Sequence, residues 1–223
     1  DIYSEKINRT YQVNWKTTSR MNVEDHNVYT PFPLATAMRT ELEGLETVAQ
    51  VQLFGKGFLQ TGNKPALRLN ELAFAEPQLL DIFEFKAMKG NLKGTLSSPN
   101  QVALSQSTAK RLFGNANPIG QVIHFNNDID LTVTSVFAEP EAGTYATAQA
   151  LISFRTLTAE ILGEFPMDSW TDERKAQTYV VLEKNQTTSS INGGLEKIAR
   201  QYTHKTSRLS AENTFVLQAF KDI

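Results

Sequence analysis

The stretch Gln106–Ile123, QSTAKRLFGNANPIGQVI, decides the fold. It can be read as an active-site serine with a lysine one turn on, as a phosphate cradle between two glycines, or as a joint between a helix and a hairpin. Ser107-Thr108-Ala109-Lys110 has the S-x-x-K spacing of penicillin-recognising enzymes, where a lysine lies one helical turn from a nucleophilic serine. Such a site needs two further motifs. Ser190-Ile191-Asn192 offers S-x-N, and Lys205-Thr206-Ser207 approaches K-T-G without its glycine. Both lie on one amphipathic helical pattern, whose rise of about 1.5 Å per residue separates Asn192 from Lys205 by roughly 20 Å. They cannot converge on one serine. The phosphate reading fails at Gln121-Val122, where a P-loop requires Lys-Ser/Thr and a helix.

The joint is what remains. Ala109, Leu112 and Phe113 form the apolar side of a helix over 106–113 that Ser105 or Ser107 caps, leaving Lys110 in solvent. Gly114 stops that helix, Asn117-Pro118 turns the chain, and Gly120 leads into a hairpin. IGQVIHF and IDLTVTSVF flank Asn126-Asn127-Asp128, so the spacing predicts a turn there.

Outward from the joint, QVALS (101–105) is strand-like, and so is ALRLNELAF (66–74); EPQLLDIF (76–83) reads as a short helix. KGNLKGTLSSPN (89–100) reads as a polar loop. Each end of the chain carries a strand–helix–strand pattern. At the N-terminal end it is INRTYQVNW (7–15), a helix over 34–42 opened by Pro33, and LETVAQVQLFG (45–55). At the other end it is TYVVLEK (178–184), a helix with its apolar face at Ile191, Leu195, Ile198, Ala199 and Tyr202, and NTFVLQAF (213–220). AQALISF (148–154) is a further strand. The expected fold class is α+β: two strand–helix–strand units with a β-rich insertion. The units take 1–74 and 148–223, and the insertion takes 75–147.

Composition narrows the function. The 223 residues contain 22 Lys and Arg against 24 Asp and Glu, so no basic field exists for nucleic acid or for an anionic membrane surface. Cysteine is absent, which excludes a disulfide scaffold and a thiolate metal site. Asn126, Asp128 and Asp130 copy the first half of a calcium loop, but Leu131 stands where glycine is required and Phe137 where glutamate is. Glu24-Asp25-His26-Asn27 gathers ligand types on adjacent, splayed positions, and His26, His124 and His204 have no ligand spacing. Accordingly no catalytic, cofactor-binding or metal residue is assigned, and the chain is expected not to be an enzyme. No apolar run is long enough to cross a membrane. The chain opens at Asp1 and stops within strand-like FVLQAFKDI, so both ends read as cut from a longer protein.

The run PNQVALSQSTAKRLFGNANPIGQVIHF (99–125) resembles the periplasmic core domain of MacB-like ABC transporter permeases, of the FtsX/LolC-type superfamily. A strand, a helix ending in Phe-Gly, then Asn/Asp-Pro-Ile-Gly and a hairpin recur in that order in the family. INRTYQVNW, VTSVFAEPEAG (133–143) and FVLQAFKDI agree with it more weakly, and the style of INRTYQVNW and FEFKAMKGN is similar to versions from Bacteroidetes. The resemblance implies a porter-like part carrying an inserted, sabre-like β-rich lobe, held outside the inner membrane in the periplasm between two membrane helices. It implies a cytoplasmic ATPase subunit or domain as partner, a permease dimer, and a periplasmic adaptor, lipoprotein or peptide substrate. The implied role is non-catalytic: passing the movement of ATP-driven membrane helices to substrate export, lipoprotein release or a partner such as a cell-wall hydrolase. The hairpin at Asn126–Asp128 and the loop Lys89–Asn100 are the expected contact surface. The alternative from another class is a free-standing periplasmic module binding a peptide or lipid.

Overall fold

The computed structural model describes residues 6–19, 21–139, 147–170, 176–203 and 212–223. The backbone falls into two compact units, one of residues 1–50 with 158–223, the other of 51–157.

The first unit holds β1 (Thr10–Thr18), β2 (Glu24–Asn27), α1 (Pro33–Glu41), the first part of β3 (Leu45–Gln60), β10 (Gln177–Leu182), α4 (Thr188–Thr203) and β11 (Glu212–Ala219). Its strands run β11-β1-β10-β3, with the short β2 added beside β1. Numbering the four long strands by sequence, that order is 4-1-3-2, the split β-α-β pattern in which two strand–helix–strand units interleave. β1 is antiparallel to both of its long neighbours, with Tyr11 opposite Val180 of β10 and Ala219 of β11. Val13 and Trp15 point to the helical face, where they meet Leu34 and Met38 of α1 and Leu195 and Ile198 of α4 in one buried cluster. These are the apolar positions that helical spacing selects. Three buried polar side chains of this unit meet: Thr30 Oγ1 and Thr178 Oγ1 lie 2.7 Å apart, and Gln50 Nε2 donates to Thr178 Oγ1 at 3.2 Å.

The second unit contains Val51–Gln60 of β3, β4 (Leu67–Ala75), β5 (Ala87–Gly90), α2 (Leu92–Ser97), β6 (Gln101–Ser105), α3 (Gln106–Phe113), β7 (Val122–Phe125), β8 (Ile129–Phe137) and β9 (Ala150–Ser153). Its pairings close on themselves. β3 pairs with β4, β4 with β9, β9 with β6, β6 with β8, β8 with β7, and β7 returns to β3 through Leu59↔Phe125 and Gln60↔His124. A ring of six strands buries one face of each and leaves no open edge within it. Leu59, Leu69, Phe74, Leu104, Ile123, Phe125 and Leu131 are fully buried in this unit. Phe54, Phe74 and Phe125 stack edge to face with centroids 5.3 to 5.9 Å apart.

Two features depart from the sequence reading. The division expected at residues 74 and 147 groups β4 and β9 with the chain ends. In the structure they pair in parallel with each other, and β9 pairs with β6, so both lie in the unit of 51–157. The segment 89–100 is not a loop throughout: β5 ends in it, and α2 follows. Asn91 caps α2 by accepting from Gly94 N–H at 3.0 Å, while Leu92, Thr95 and Leu96 are buried.

Candidate functional surface

Ser105 caps α3 by accepting from Thr108 N–H, as the sequence suggests, and Ser107 Oγ lies 3.3 Å from Ser105 Oγ. Ser107 N–H donates to Glu139 Oε1 at 2.6 Å, and Lys110 is exposed. Asn192 belongs to the other compact unit, and Ser190 Oγ is spent on the Thr187 carbonyl at 2.7 Å and on Gln186. Lys205-Thr206-Ser207 and His204 lie outside the described residues.

Glu139 is therefore an anion at the start of α3, where unpaired N–H groups and the helix dipole favour negative charge. Partial burial pushes its carboxyl up, but hydrogen bonds from the Ser107 backbone, the Ser107 hydroxyl and the Ser105 hydroxyl hold it below the usual range on balance. A carboxyl depressed in the folded state adds stability that is complete above its unfolded pKa and is lost as pH falls through the folded value. Glu139→Gln is expected to lower stability at pH 7 by about 0.5 kcal/mol, the scale of an exposed helix-end charge. In thermal unfolding followed across pH, the gap between wild type and variant should close below about pH 4, beneath the ordinary carboxylate value near 4.5. A gap that stays constant down to pH 3 contradicts the assignment.

The two glycines of the joint do geometric work. Gly114 ends α3 at φ +63°, with its N–H on the Lys110 carbonyl. Gly120 has φ +83°, and its N–H donates to the Val133 carbonyl at 2.8 Å, while Val133 N–H returns to the Gln121 carbonyl at 2.9 Å. Pro118 between them is buried. The segment folds back on β8 and delivers the chain into β7, so it aims a hairpin.

The partial calcium loop is likewise consumed by structure. Asn126 and Asn127 take φ of 51° and 68°, the left-handed pair of a tight hairpin turn. Asn126 Oδ1 accepts from Phe58 N–H, and Asn126 N–H donates to the Phe58 carbonyl, both at 2.9 Å. Asp130 pairs with His124 Nδ1 at 2.6 Å. At the other candidate cluster Glu24 binds Lys16 at 2.5 Å, and that hydrogen bond, with help from His26, holds its carboxyl below the usual range. Asn27 Oδ1 accepts from Tyr29 N–H. No group of three or more metal-ligating side chains assembles among the described residues.

Two clefts of about 370 and 280 Å³ flank α4, and none of the motif residues lines either. Of the lining cations, Arg200 pairs with Glu196 at 3.2 Å and Lys16 with Glu24. Beside the Asn126 turn, Phe58 and Val122 are each 48% exposed. No described helix is long and apolar enough to cross a membrane.

The sequence matches the family model of the MacB-like periplasmic core domain over residues 2–198. The chain belongs to that family. Solved structures agree on the fold. A domain of a protein described as a permease from Porphyromonas gingivalis, one of the Bacteroidetes, superposes with a TM-score of 0.82 at 18% identity, over 96% of this chain and 90% of that one. The periplasmic region of MacB from Actinobacillus actinomycetemcomitans gives 0.66 at 16% identity, over 98% and 92%. The extracellular domain of the noncanonic ABC-type transporter YknZ from Gram-positive bacteria gives 0.61 at 12% identity, over 94% and 99%. No curated protein matches the chain. The joint at 113–120 carried the resemblance, and in the structure this MacB-like domain uses it to set a hairpin against a helix.

Proposed function

We propose that this chain is the non-catalytic extracytoplasmic domain of an ABC permease of the FtsX/MacB type. Held in the periplasm at the inner membrane, it transmits the movement of membrane helices driven by an ATPase partner. The observation that carries this reading is the pairing of β1 with β11 over eight residues, with Tyr11 opposite Ala219. Chain coming in and chain going out thus share one sheet, and a displacement of either strand is a displacement of both. The incoming segment is anchored further: Arg9 and Lys6 reach Glu46 at 2.7 and 3.3 Å, and Arg9 also donates to the Leu182 carbonyl. Those cations hold the Glu46 carboxyl below its usual range, the Arg9 hydrogen bond contributing most.

In this reading the split β-α-β unit is the porter-like part, and the β-rich lobe centred on 75–147 is the working end. The Asn126–Asp128 turn, with Phe58 beside it, is where an adaptor, lipoprotein or peptide meets that lobe. The test uses the full-length permease with its ATPase. Flexible Gly/Ser linkers of about ten residues, long enough to behave as random coil, are inserted before Thr10 and after Asp222. ATP hydrolysis should continue while transport or partner output falls at least about tenfold, each tenfold being near 1.4 kcal/mol of lost coupling. Ser107→Ala should leave both unchanged. Full output with both linkers in place defeats the proposal.

A further inference from the structure

The chain passes between the two units twice, once inside β3 after Gln50 and once after Leu157. The first passage is an unbroken strand. The second is not: Thr158 opens an irregular stretch that runs to Trp170, and none of its residues is buried. Bonds from within close a local turn there. Glu164 N–H donates to the Ala159 carbonyl at 2.7 Å, and Gly163 N–H to the Glu160 carbonyl at 3.0 Å. Gly163 and Glu164 take φ of 76° and 66°. Segments with few buried apolar contacts open at a lower free energy than the body they join.

The far end of this stretch is fastened by an aromatic stack. Trp170 lies flat on Tyr202, with ring centroids 4.3 Å apart and planes 6° from parallel. Tyr202 stands in the last turn of α4, and its hydroxyl donates to Glu41 Oε1 at 2.7 Å. Glu41 is the last residue of α1. Its hydrogen bond holds the Tyr202 hydroxyl above its usual range, so the group stays a donor. Helix α1, helix α4 and the returning segment are thus joined in series through three side chains.

A parallel stack requires one ring plane, and a tyrosine ring turns about χ2 unless its hydroxyl is held. Glu41 holds it. The two helices meet more deeply through Leu34, Met38, Leu195 and Ile198, all fully buried. Leu42 fills the notch over Gly194, where a Cβ would overlap Leu42 Cδ2. The Glu41 bond lies at the exposed end of that contact, and hydrogen bonds weaken steeply with misalignment. A small parting of the helix ends breaks it first.

We infer that Glu41, Tyr202 and Trp170 form a latch on the returning segment 158–170. It fastens that segment to α4 and, through Tyr202, to α1. It frees the segment when the ends of the two helices part, with the core between them intact. Closed, the latch keeps the second passage short; open, it gives that passage slack. The latch lies within the first unit and is independent of the transport reading.

Amide exchange of the 223-residue chain reads the latch directly. Tyr202→Ala removes the platform, and peptides within 158–170 should exchange at least about tenfold faster. Glu41→Ala leaves both rings in place but frees the hydroxyl, so the same peptides should exchange at least about threefold faster. β1 and β10 should keep their wild-type rates in both variants. Were the stack held by packing alone, Glu41→Ala would leave 158–170 unmoved. Should Tyr202→Ala fail to fold, Trp170→Ala takes its place with the same expectation. Either variant leaving 158–170 at the wild-type rate overturns the inference, and so does acceleration shared equally by β1 and β10.

Discussion

Phe125→Ala should cost about 3–5 kcal/mol, the range for removing a buried phenylalanine. The ring is 1% exposed and meets Phe54 and Phe74 edge to face at 5.3 and 5.9 Å. Its position matters as much as its area. Phe125↔Leu59 is one of only two residue pairs joining β7 to β3, and those pairs complete the six-strand ring. Gly57 lets the ring in, since a Cβ there would stand 2.8 Å from it. Removing it leaves a cavity at the seam and weakens the pairing that holds the seam shut. Urea unfolding should show a lower midpoint, and amide exchange of β7 should accelerate more than that of β6. A loss below about 1 kcal/mol would mean the seam does not depend on this packing.

That seam also marks the limit of what the sequence makes legible. The alternating residues of β1, the capped helix after Ser105 and the apolar stripe of α4 are local patterns, and each element appears close to its expected place. The Phe-Gly and Pro-Ile-Gly signals locate the joint because glycine and proline constrain the backbone wherever they stand. Closure of the ring rests on Leu59 meeting Phe125 across 66 positions of sequence, and no periodicity encodes that. β3 runs to Gln60 rather than stopping at Gly55, because Gly55 and Gly57 sit at register shifts within a strand that continues. α2 escapes notice for another reason. Six residues give it only Leu92 and Leu96 as an apolar repeat, amid Lys, Gly, Thr and Ser. β1 lies three residues later than expected, since Lys6 and Ile7 turn as a helix before Thr10. Among the described residues, the Ser107 backbone serves the start of a helix, Asn126 and Asn127 a hairpin turn, and Glu24 an ion pair.

Gly90→Ala should be nearly as damaging as a core truncation, although it adds a single carbon. Two costs combine. Gly90 has φ +74°, and a side chain held in the left-handed region costs roughly 1–2 kcal/mol. A Cβ there would also overlap the Thr134 carbonyl oxygen and stand 2.9 Å from the Ser135 Cα. Those atoms belong to the backbone of β8, which β6 holds on its other side, so they cannot retreat. Gly90 must retreat instead, taking β5 off β8 and pulling Asn91 away from the cap of α2. Leu92 and Leu96, buried on that helix, then lose their seat. The expected loss is about 2–4 kcal/mol by denaturant unfolding, with the m-value little changed. Gly55→Ala is the control: φ there is +77°, but nothing lies within 4 Å of a Cβ, so only the conformational cost applies. Equal losses at the two positions would show that β8 yields to the added carbon and that β5 is not held by close approach.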